Sequence, residues 1–230
     1  MKRVISFSVY GTDEKYTIGL LRNLELLEII YPEWTAYVYY NNTIRHELLD
    51  EYKKFNTELI CMNNYNIPGM FWRFLPREGV ERFISRDADS RLSMREKYAV
   101  DEWISSGKSF HAMRDHPHHD AVPVYGGMFG LVISDDFNME EEINKWLIDK
   151  NMGLFNRMGD AHFLEQVVYK HFLENEDLIA HDSVFKHHPF SKPFPKKMVN
   201  HRFIGEIFDE NDRRYPQYQE WIYRKENGYE

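Results

Sequence analysis

Two aspartates separated by a single residue carry the clearest chemical signal in the chain. Asp87 and Asp89 directly follow residues 82–85, a short run typical of a β-strand. If the chain turns between them, both carboxylates can reach one hard divalent cation, directly or through water. Such a cation could neutralise a diphosphate and lower the cost of its departure as a leaving group. The alternative is a solvated acidic turn beside Arg86 and Arg91, and the spacing alone leaves it open.

The pattern of the first third predicts the elements that must position these acids. Three β-rich runs alternate with two helical runs: residues 4–9, 35–40 and 59–62 for the strands, and 20–31 and 44–55 for the helices. Strand and helix in alternation predict a parallel sheet with covering helices. In open sheets of this kind, ligands bind in a crevice outside the carboxyl ends of the strands. The two aspartates follow a strand and are expected at that edge.

The later part of the chain alternates less cleanly, so we expect a mixed, mostly parallel sheet. Residues 94–104 have a helical pattern, and residues 122–133 are β-like but interrupted by two glycines. From about residue 182, Pro, His, Lys and Phe dominate without periodicity, which predicts an irregular tail folding over the sheet edge. No repeat or Gly/Ser linker divides the chain, so residues 1–230 are expected to form a single α/β domain.

Composition and charge exclude several classes of protein. The chain contains 29 Lys and Arg and 37 Asp and Glu, a net charge of −8. Because a negative protein repels the phosphate backbone, nucleic acid is an unfavourable partner. One cysteine, Cys61, excludes an intrachain disulfide and fits a reducing compartment. A mean hydropathy of −0.62 and the lack of a long apolar run argue against a membrane span. The N-terminal apolar stretch is short, so we expect a buried first strand and a cytoplasmic protein.

The surroundings of the aspartates resemble a known enzyme family. Residues 71–75 (FWRFL), 84–92 (ISRDADSRL) and 110–117 (FHAMRDHP) together resemble the core of a GT-A-fold glycosyltransferase. They are most similar to small stand-alone enzymes of bacteria and large DNA viruses, of the glycogenin and lipopolysaccharide galactosyltransferase type. The resemblance runs from the first strand to about Pro195. It implies a Rossmann-like sheet that binds a nucleotide-sugar, with a D-x-D motif holding Mn²⁺ or Mg²⁺ on the diphosphate.

The resemblance also implies which residues hold the donor. Phe7, Tyr10 and Gly11 match the segment that holds the nucleoside, although a buried strand end is an equally good interpretation. Arg73 corresponds to a basic residue that precedes the D-x-D motif, and its planar cation suits phosphate oxygens. An ion pair between Arg73 and a nearby carboxylate is the alternative. Ala88, between the two aspartates, is expected in the same pocket.

Two further segments are expected around the donor sugar. Gly126 and Gly127 resemble a glycine-containing strand that passes beneath the sugar, where glycine lets the backbone approach a ring. A β-bulge is the alternative. Asp160 resembles an acid presented to the sugar from the start of a helix, or more simply caps that helix.

The metal site is expected to gain a histidine from the C-terminal region. The resemblance implies either His181 or His188, which precedes a Lys-Pro-Phe element, and His181 is preferred because it ends a β-like run, as the two aspartates do. Neutral imidazole is an acceptable manganese ligand beside two carboxylates. Lys186 and Lys192 are candidates to shield diphosphate charge, or else ordinary surface lysines.

A histidine-rich segment follows the D-x-D motif. His111, His116, His118 and His119 lie close in sequence, but their spacing matches no standard structural-zinc pattern. The resemblance assigns Arg114 and Asp115 to the pocket wall as sugar contacts. If the reaction inverts the anomeric carbon, a carboxylate must act as base on the acceptor hydroxyl. Two acids are candidates: Asp115 and Asp160.

The sequence therefore predicts a metal-dependent glycosyltransferase that moves a sugar from a nucleotide diphosphate donor, expected to be a UDP-sugar. The acceptor is a hydroxyl of a carbohydrate or glycoconjugate. A nucleotide-sugar binding protein without turnover and a metal-dependent phosphohydrolase are the alternatives. Donor sugar, acceptor, stereochemistry and oligomeric state are not encoded in these motifs.

Overall fold

The fold is a single eight-stranded sheet with helices on both faces. The structure, a computed structural model, describes residues 2–75, 77–149, 159–183 and 189–226. The strands are β1 Lys2–Val9, β2 Thr35–Tyr40, β3 Thr57–Cys61, β4 Val80–Ser85, β5 Phe110–Arg114, β6 Phe129–Val132, β7 Leu178–Asp182 and β8 Ser191–Lys192. The α-helices are α1 Glu14–Ile30, α2 His46–Tyr52, α3 Gly69–Trp72, α4 Met94–Ser106, α5 Met139–Asp149, α6 Gly159–Phe163, α7 Lys170–Glu174 and α8 Pro216–Glu226. A 3-10 turn covers Pro117–Asp120, and a π-helical segment, Leu164–Tyr169, joins α6 to α7.

The sheet is mixed and mostly parallel, which confirms the expected fold class. Its strand order is β3-β2-β1-β4-β6-β5-β7-β8. β1 pairs in parallel with both β2 and β4, and β7 pairs in parallel with β5 and β8. β6 is antiparallel to β4 and to β5. Consequently β1, β4, β5 and β7 all end at the same edge of the sheet.

The helices begin and end where local chemistry requires. The Asp13 side chain accepts a hydrogen bond from the Lys15 N–H at 2.9 Å and caps α1, and Pro32 follows its end. Ser93 caps α4 in the same way, and Gly107 ends α4 with φ +72°. No helix among the described residues is long and apolar enough to cross a membrane.

Two hydrophobic clusters cover the two faces of the sheet. One joins β1 and β2 to α1, α2 and α4, with Leu24 and Trp103 fully buried. The other joins the sheet to α3, α5 and the segment around α7, with Phe71 and Phe129 fully buried. Because both faces of the central strands are covered, residues 4–9 form a continuous buried run instead of alternating.

The C-terminal tail packs against the edge where β4 and β5 end. Phe208 N–H donates to the Asp89 carbonyl at 2.9 Å, and Phe194 and Ile204 pack with Met113 in a third small cluster. The lack of periodicity predicted an irregular tail, but the tail contains a short strand, β8, and a helix, α8. Both depend on contacts with distant residues, which a local pattern does not contain.

The connectivity creates a crevice between β1 and β4. From β1 the chain proceeds outward to β2 and β3, then returns to place β4 on the other side of β1. The connection through α1 therefore goes from β1 to β2 on one side of this pair, and the connection through α4 goes from β4 to β5 on the other. This reversal of strand order is the position at which open α/β sheets bind ligands.

Candidate active site

A cavity of about 320 Å³ lies at the carboxyl ends of β1 and β4. The turn after β4, the end of β1 and the starts of α1 and α6 all contribute to it. Its lining residues are Ser8, Tyr10, Tyr16, Met70, Arg73, Asp87, Ala88 and Asp160. Five residues expected from the sequence at the donor site thus lie together: Tyr10, Arg73, Asp87, Ala88 and Asp160.

Arg73 lies between two carboxylates in this cavity. Its Nη1 contacts Asp87 Oδ1, and its Nη2 lies 3.2 Å from Asp160 Oδ2. The residue is 8% exposed, and serines of β1 hold its backbone: Ser8 Oγ accepts from the Arg73 N–H at 2.9 Å. Of the two sequence interpretations, the ion pair is the one present. The Arg73 guanidinium, fixed in this way, also presents a preorganised positive charge to the cavity.

Asp89 is paired with a lysine that the sequence analysis did not select. Lys15 Nζ lies 3.1 Å from Asp89 Oδ2. Burial raises the pKa of Asp89, and the neighbouring Asp87 carboxylate raises it further, while Lys15 opposes both effects. The two aspartates therefore interact electrostatically, as a shared site requires.

The neighbouring arginines of the D-x-D segment point elsewhere. Arg86 Nε lies 3.0 Å from Glu96 Oε1 in the interior, and Arg91 Nε lies 2.7 Å from Asp212 Oδ1 in the tail. The acidic turn is thus not neutralised by Arg86 and Arg91, as the alternative interpretation required.

Asp160 contacts both the backbone of its own helix and Arg73. It lies in the first turn of α6, where its Oδ1 accepts from the Ala161 N–H at 2.9 Å. The other oxygen faces Arg73 at the cavity wall. Burial raises the pKa of Asp160, and Arg73 offsets only part of that rise.

Gly126 and Gly127 lie in a turn before β6, where no strand or bulge is formed. A Cβ on Gly126 would lie 2.4 Å from Arg73 Nη2 and 2.6 Å from Asp160 Oδ2, and one on Gly127 would lie 1.9 Å from Asp87 Oδ2. The glycines therefore make room for the three charged side chains. A close approach was expected at these glycines, but to a sugar ring.

Phe7 and Gly11 do not line the cavity. Successive side chains of β1 point to opposite faces, so Phe7 is fully buried in the cluster beneath α1 while Ser8 faces the cavity. Gly11 has φ +80° in the turn that follows, and its N–H donates to Thr43 Oγ1 at 2.7 Å.

His181 is not brought to the two aspartates. It lies on β7, separated from β4 by β6 and β5. Its Nδ1 lies 2.8 Å from His111 Nε2, and its Nε2 lies 3.1 Å from Glu102 Oε2. Both ring nitrogens are thus engaged within a buried network, and the expectation that His181 completes the metal site is wrong for this geometry.

Other expected contributors from the C-terminal region are also placed elsewhere or lie outside the described residues. Lys192, on the edge strand β8, contacts Glu102 and does not reach the cavity. His188 and Lys186 fall within residues 184–188, which are not described. Among the described residues, no group of three or more His, Cys, Asp or Glu is arranged to hold a metal ion.

Arg114 and Asp115 hold the tail and do not contact the cavity. Arg114 Nε lies 2.9 Å from Asp182 Oδ2, with both side chains fully buried. The Asp115 carboxylate accepts from Arg95 Nε and Nη2 at 2.8 and 2.7 Å and from the Ile204 N–H at 3.1 Å. These donors engage both carboxylate oxygens of Asp115. The expectation that Asp115 is a base or a sugar contact is therefore wrong, and the residue instead holds the C-terminal tail.

The histidine-rich segment also contacts the tail. His119 Nδ1 accepts a hydrogen bond from the Asp115 N–H at 3.1 Å. The His116 ring packs against the Phe203 ring of the tail, with ring centroids 4.3 Å apart. Burial, with a smaller contribution from His116, lowers the pKa of His119 from 6.5 to about 3. His119 is therefore a neutral acceptor that the fold requires unprotonated.

His119→Asn is expected to flatten the acid dependence of stability. Because the pKa of His119 is about 3 when folded and 6.5 when unfolded, the unfolded chain binds more protons between these values. Stability is therefore lost as the pH falls, by about 2 kcal/mol between about pH 7 and about pH 5 from this residue. Asparagine retains an acceptor but does not titrate. Urea denaturation at both pH values measures the difference, and an unchanged slope in the variant would contradict the assignment.

The cavity residues fit a divalent cation by charge and by chemistry. Two carboxylates (Asp87 and Asp160) and one guanidinium (Arg73) line the cavity, which leaves one negative charge in excess, and the adjoining Asp89–Lys15 pair adds no net charge. A diphosphate would be repelled by such a cavity, whereas a divalent cation would reverse its sign. Carboxylate oxygens are the ligands that Mg²⁺ and Mn²⁺ prefer.

Sequence reasoning missed Ser8, Lys15, Tyr16 and Met70. A signal existed for two of them, because Lys15 and Tyr16 open the helix that directly follows the first strand. In a doubly wound sheet the start of that helix lies at the crevice. Ser8 was visible only as the neighbour of Phe7, and nothing marked Met70.

No protein-family model and no curated protein sequence matches the chain. Solved structures that align with it include 4-diphosphocytidyl-2C-methyl-D-erythritol synthase from Anaerococcus prevotii, at 8% identity and a TM-score of 0.49 over 79% of this chain and 87% of that one. Galactosyltransferase LgtC in complex with donor and acceptor sugar analogues aligns at 11% and 0.49, over 79% and 73%. A glycosyltransferase involved in glycosylation of the major capsid of PBCV-1 aligns at 13% and 0.43, over 79% and 82%. At these values the likeness assigns no function to any residue of this chain.

Proposed function

We propose that the protein is a metal-dependent glycosyltransferase that moves a sugar from a UDP-sugar to an acceptor hydroxyl. The observation that carries the proposal is the charged cluster at the switch point of the sheet. There Arg73 bridges Asp87 and Asp160 in the cavity wall, and Lys15 pairs with Asp89 in the adjoining turn. The excess of one negative charge makes the site a place for a divalent cation followed by a diphosphate.

Asp87 and Asp89 are the residues that would hold Mn²⁺ or Mg²⁺. When bound, the ion neutralises charge that develops on the diphosphate as the glycosidic bond breaks. Asp87 and Asp89 both follow β4, and their carboxylates interact electrostatically. Burial disfavours the charged form of Asp89. A cation in the site would favour the charged form of both carboxylates.

Arg73 supplies a second positive charge, directly beside Asp87. It is held by Asp87, by Asp160 and by Ser8 before any ligand arrives, so its charge needs no reorganisation during the reaction. Its buried Nε has no hydrogen-bond partner within the described structure. We assign Arg73 to the leaving diphosphate or to the donor sugar.

The aromatic side of the cavity suits the nucleoside. Tyr10 is 41% exposed and packs edge-on against Trp72, with ring centroids 5.4 Å apart. Tyr16 lines the same cavity from α1. Such rings offer faces on which a planar base stacks. Asp160, beside Arg73, is assigned to hydroxyl groups of the sugar or acceptor.

Thermal denaturation with UDP-glucose or UDP-galactose tests the proposal. With Mn²⁺ and ligand at about 100 times Kd, binding is expected to add about 2.7 kcal/mol, or roughly 5–10 °C in Tm. Asp89→Ala should abolish the Mn²⁺-dependent part of this shift, because one of the two ligands is lost. Asp50→Ala, which removes an exposed acid paired with Lys53 on α2, is the matched control and should retain it.

Release of free UDP over the same range of conditions separates the remaining functions. UDP release that requires Mn²⁺ supports transfer, whereas a shift without release indicates a binding protein without turnover. Release of inorganic phosphate from simple phosphoesters would instead indicate a phosphohydrolase. A full Mn²⁺-dependent shift in Asp89→Ala would show that the metal site has been placed wrongly.

A further inference from the structure

One face of α1 is built against the D-x-D turn. Lys15, Gly19 and Asn23 are spaced four residues apart, so they lie one above another on the same side of the helix. Each of them contacts the segment formed by residues 87–92. None of these three residues was expected at the site from the sequence.

Asn23 fixes the backbone of the turn. It is 1% exposed, and its Nδ2 donates to the carbonyls of Ala88 at 3.2 Å and Ser90 at 2.8 Å. Its Oδ1 accepts from the Leu92 N–H at 3.0 Å. These bonds bracket Asp89 on both sides, and a buried amide engaged in this way holds one backbone conformation.

Gly19 allows α1 to lie directly on that turn. A Cβ at this position would lie 2.4 Å from the Ala88 carbonyl oxygen, which is a backbone atom and cannot move aside cheaply. The absence of a side chain thus brings the first turns of α1 within reach of Asp89. Lys15, one helical turn earlier, is the residue that uses this proximity.

Lys15 is held close to Asp89 by this packing. Its Nζ lies 3.1 Å from Asp89 Oδ2 and 4.5 Å from the centroid of the Tyr16 ring, which lines the cavity. The Asp89 side chain is 9% exposed and that of Lys15 is 21% exposed. An ammonium at this position neutralises the Asp89 carboxylate as long as no metal ion is bound.

A divalent cation and the Lys15 ammonium would compete for Asp89. Like charges a few ångströms apart repel strongly at a partly buried site. Lysine carries its charge on a flexible four-carbon stem, so it can leave Asp89 without any movement of the backbone. A diphosphate bound to the cation is the nearest new anion to receive it.

We propose that Lys15 is an exchangeable counter-ion, which neutralises Asp89 in the free protein and binds a diphosphate oxygen once a divalent cation has taken Asp89. The inference rests on the proposed function, because it requires a cation and a diphosphate in the same cavity. It assigns to Lys15 a binding role that would otherwise fall to Arg73 alone.

The test is isothermal titration of Lys15→Met with Mn²⁺ alone and then with UDP at saturating Mn²⁺. Removal of the competing charge is expected to tighten Mn²⁺ binding several-fold. UDP should then bind about tenfold more weakly, the effect expected for loss of one charge-assisted hydrogen bond. Lys53→Met is the control, because it removes a lysine that is paired with Asp50 on the surface of α2.

The two measurements distinguish this inference from the proposed function. A purely structural role of Lys15 would weaken Mn²⁺ binding or leave it unchanged, and either result overturns the inference. Unchanged UDP affinity in Lys15→Met also overturns it, while wild-type binding of Mn²⁺ and UDP leaves the proposed function standing. If the wild-type protein binds neither probe, both the proposed function and the inference fall.

Discussion

Arg86→Met is expected to destabilise the protein by about 3–5 kcal/mol, the cost of removing one partner from a buried ion pair. Arg86 and Glu96 are each 2% exposed, and Arg86 Nε lies 3.0 Å from Glu96 Oε1. Burial already raises the pKa of Glu96, and Arg86 offsets part of that rise. Without the guanidinium, the Glu96 carboxyl must take up a proton or remain as a buried charge.

The same arginine also joins two strands at the base of the site. Its Nη1 donates to the carbonyls of Ser85 at 2.7 Å and Phe129 at 3.2 Å, at the point where β4 ends and β6 begins. Asp87 follows two residues after Ser85. Loss of these bonds is therefore expected to loosen the turn that carries Asp87 as well as to lower global stability.

A double variant separates the charge from the packing. Arg86→Met combined with Glu96→Leu removes both charges, and apolar replacement of a buried pair is often close to neutral. The double variant is expected to be more stable than Arg86→Met alone, which is the signature of a direct interaction in a double-mutant cycle. Chemical denaturation measures both values. Additive losses, or a single-variant loss below about 1 kcal/mol, would contradict this account.

Gly127→Ala is expected to lower the rate of the proposed sugar transfer about 100-fold, the size of effect that a shift of about 1 Å at a reacting site produces. The new Cβ would lie 1.9 Å from Asp87 Oδ2, 2.5 Å from its Cγ and 3.0 Å from its backbone nitrogen. Asp87 has a short side chain and cannot avoid the methyl group by rotation alone. The carboxylate must leave Arg73, and the proposed metal ligand is displaced.

Gly107→Ala provides the matched control for this change. Gly107 ends α4 with φ +72°, and a Cβ there meets no atom within 4 Å. Its replacement is expected to cost about 1 kcal/mol of stability, because alanine is strained in the left-handed region, with no change in transfer rate. Mn²⁺-dependent UDP release from both variants gives the comparison. Equal rates in the two variants would show that Gly127 does not position Asp87.

The sequence by itself determined the local elements and the edge of the sheet at which chemistry is placed. The alternation up to residue 62 predicted the first three strands and the helices between them, because hydrophobic periodicity is a property of neighbouring residues. Asp87 and Asp89 were placed after a strand for the same reason. Carboxyl ends of parallel strands share one edge, so their relation to Tyr10 followed without knowledge of the full fold.

Only the tertiary structure decided which strand ends are neighbours. Arg114, Asp115 and His181 also lie at carboxyl ends of strands, yet the order β4-β6-β5-β7 separates them from the D-x-D turn. That order depends on how the antiparallel β6 inserts between β4 and β5, and no local pattern encodes it. Lys15 is the converse case, because it reaches Asp89 only through the close packing of α1 on the turn. Strand order and helix packing arise from contacts between residues far apart in the chain. Those contacts decide which charged side chains lie next to the D-x-D turn.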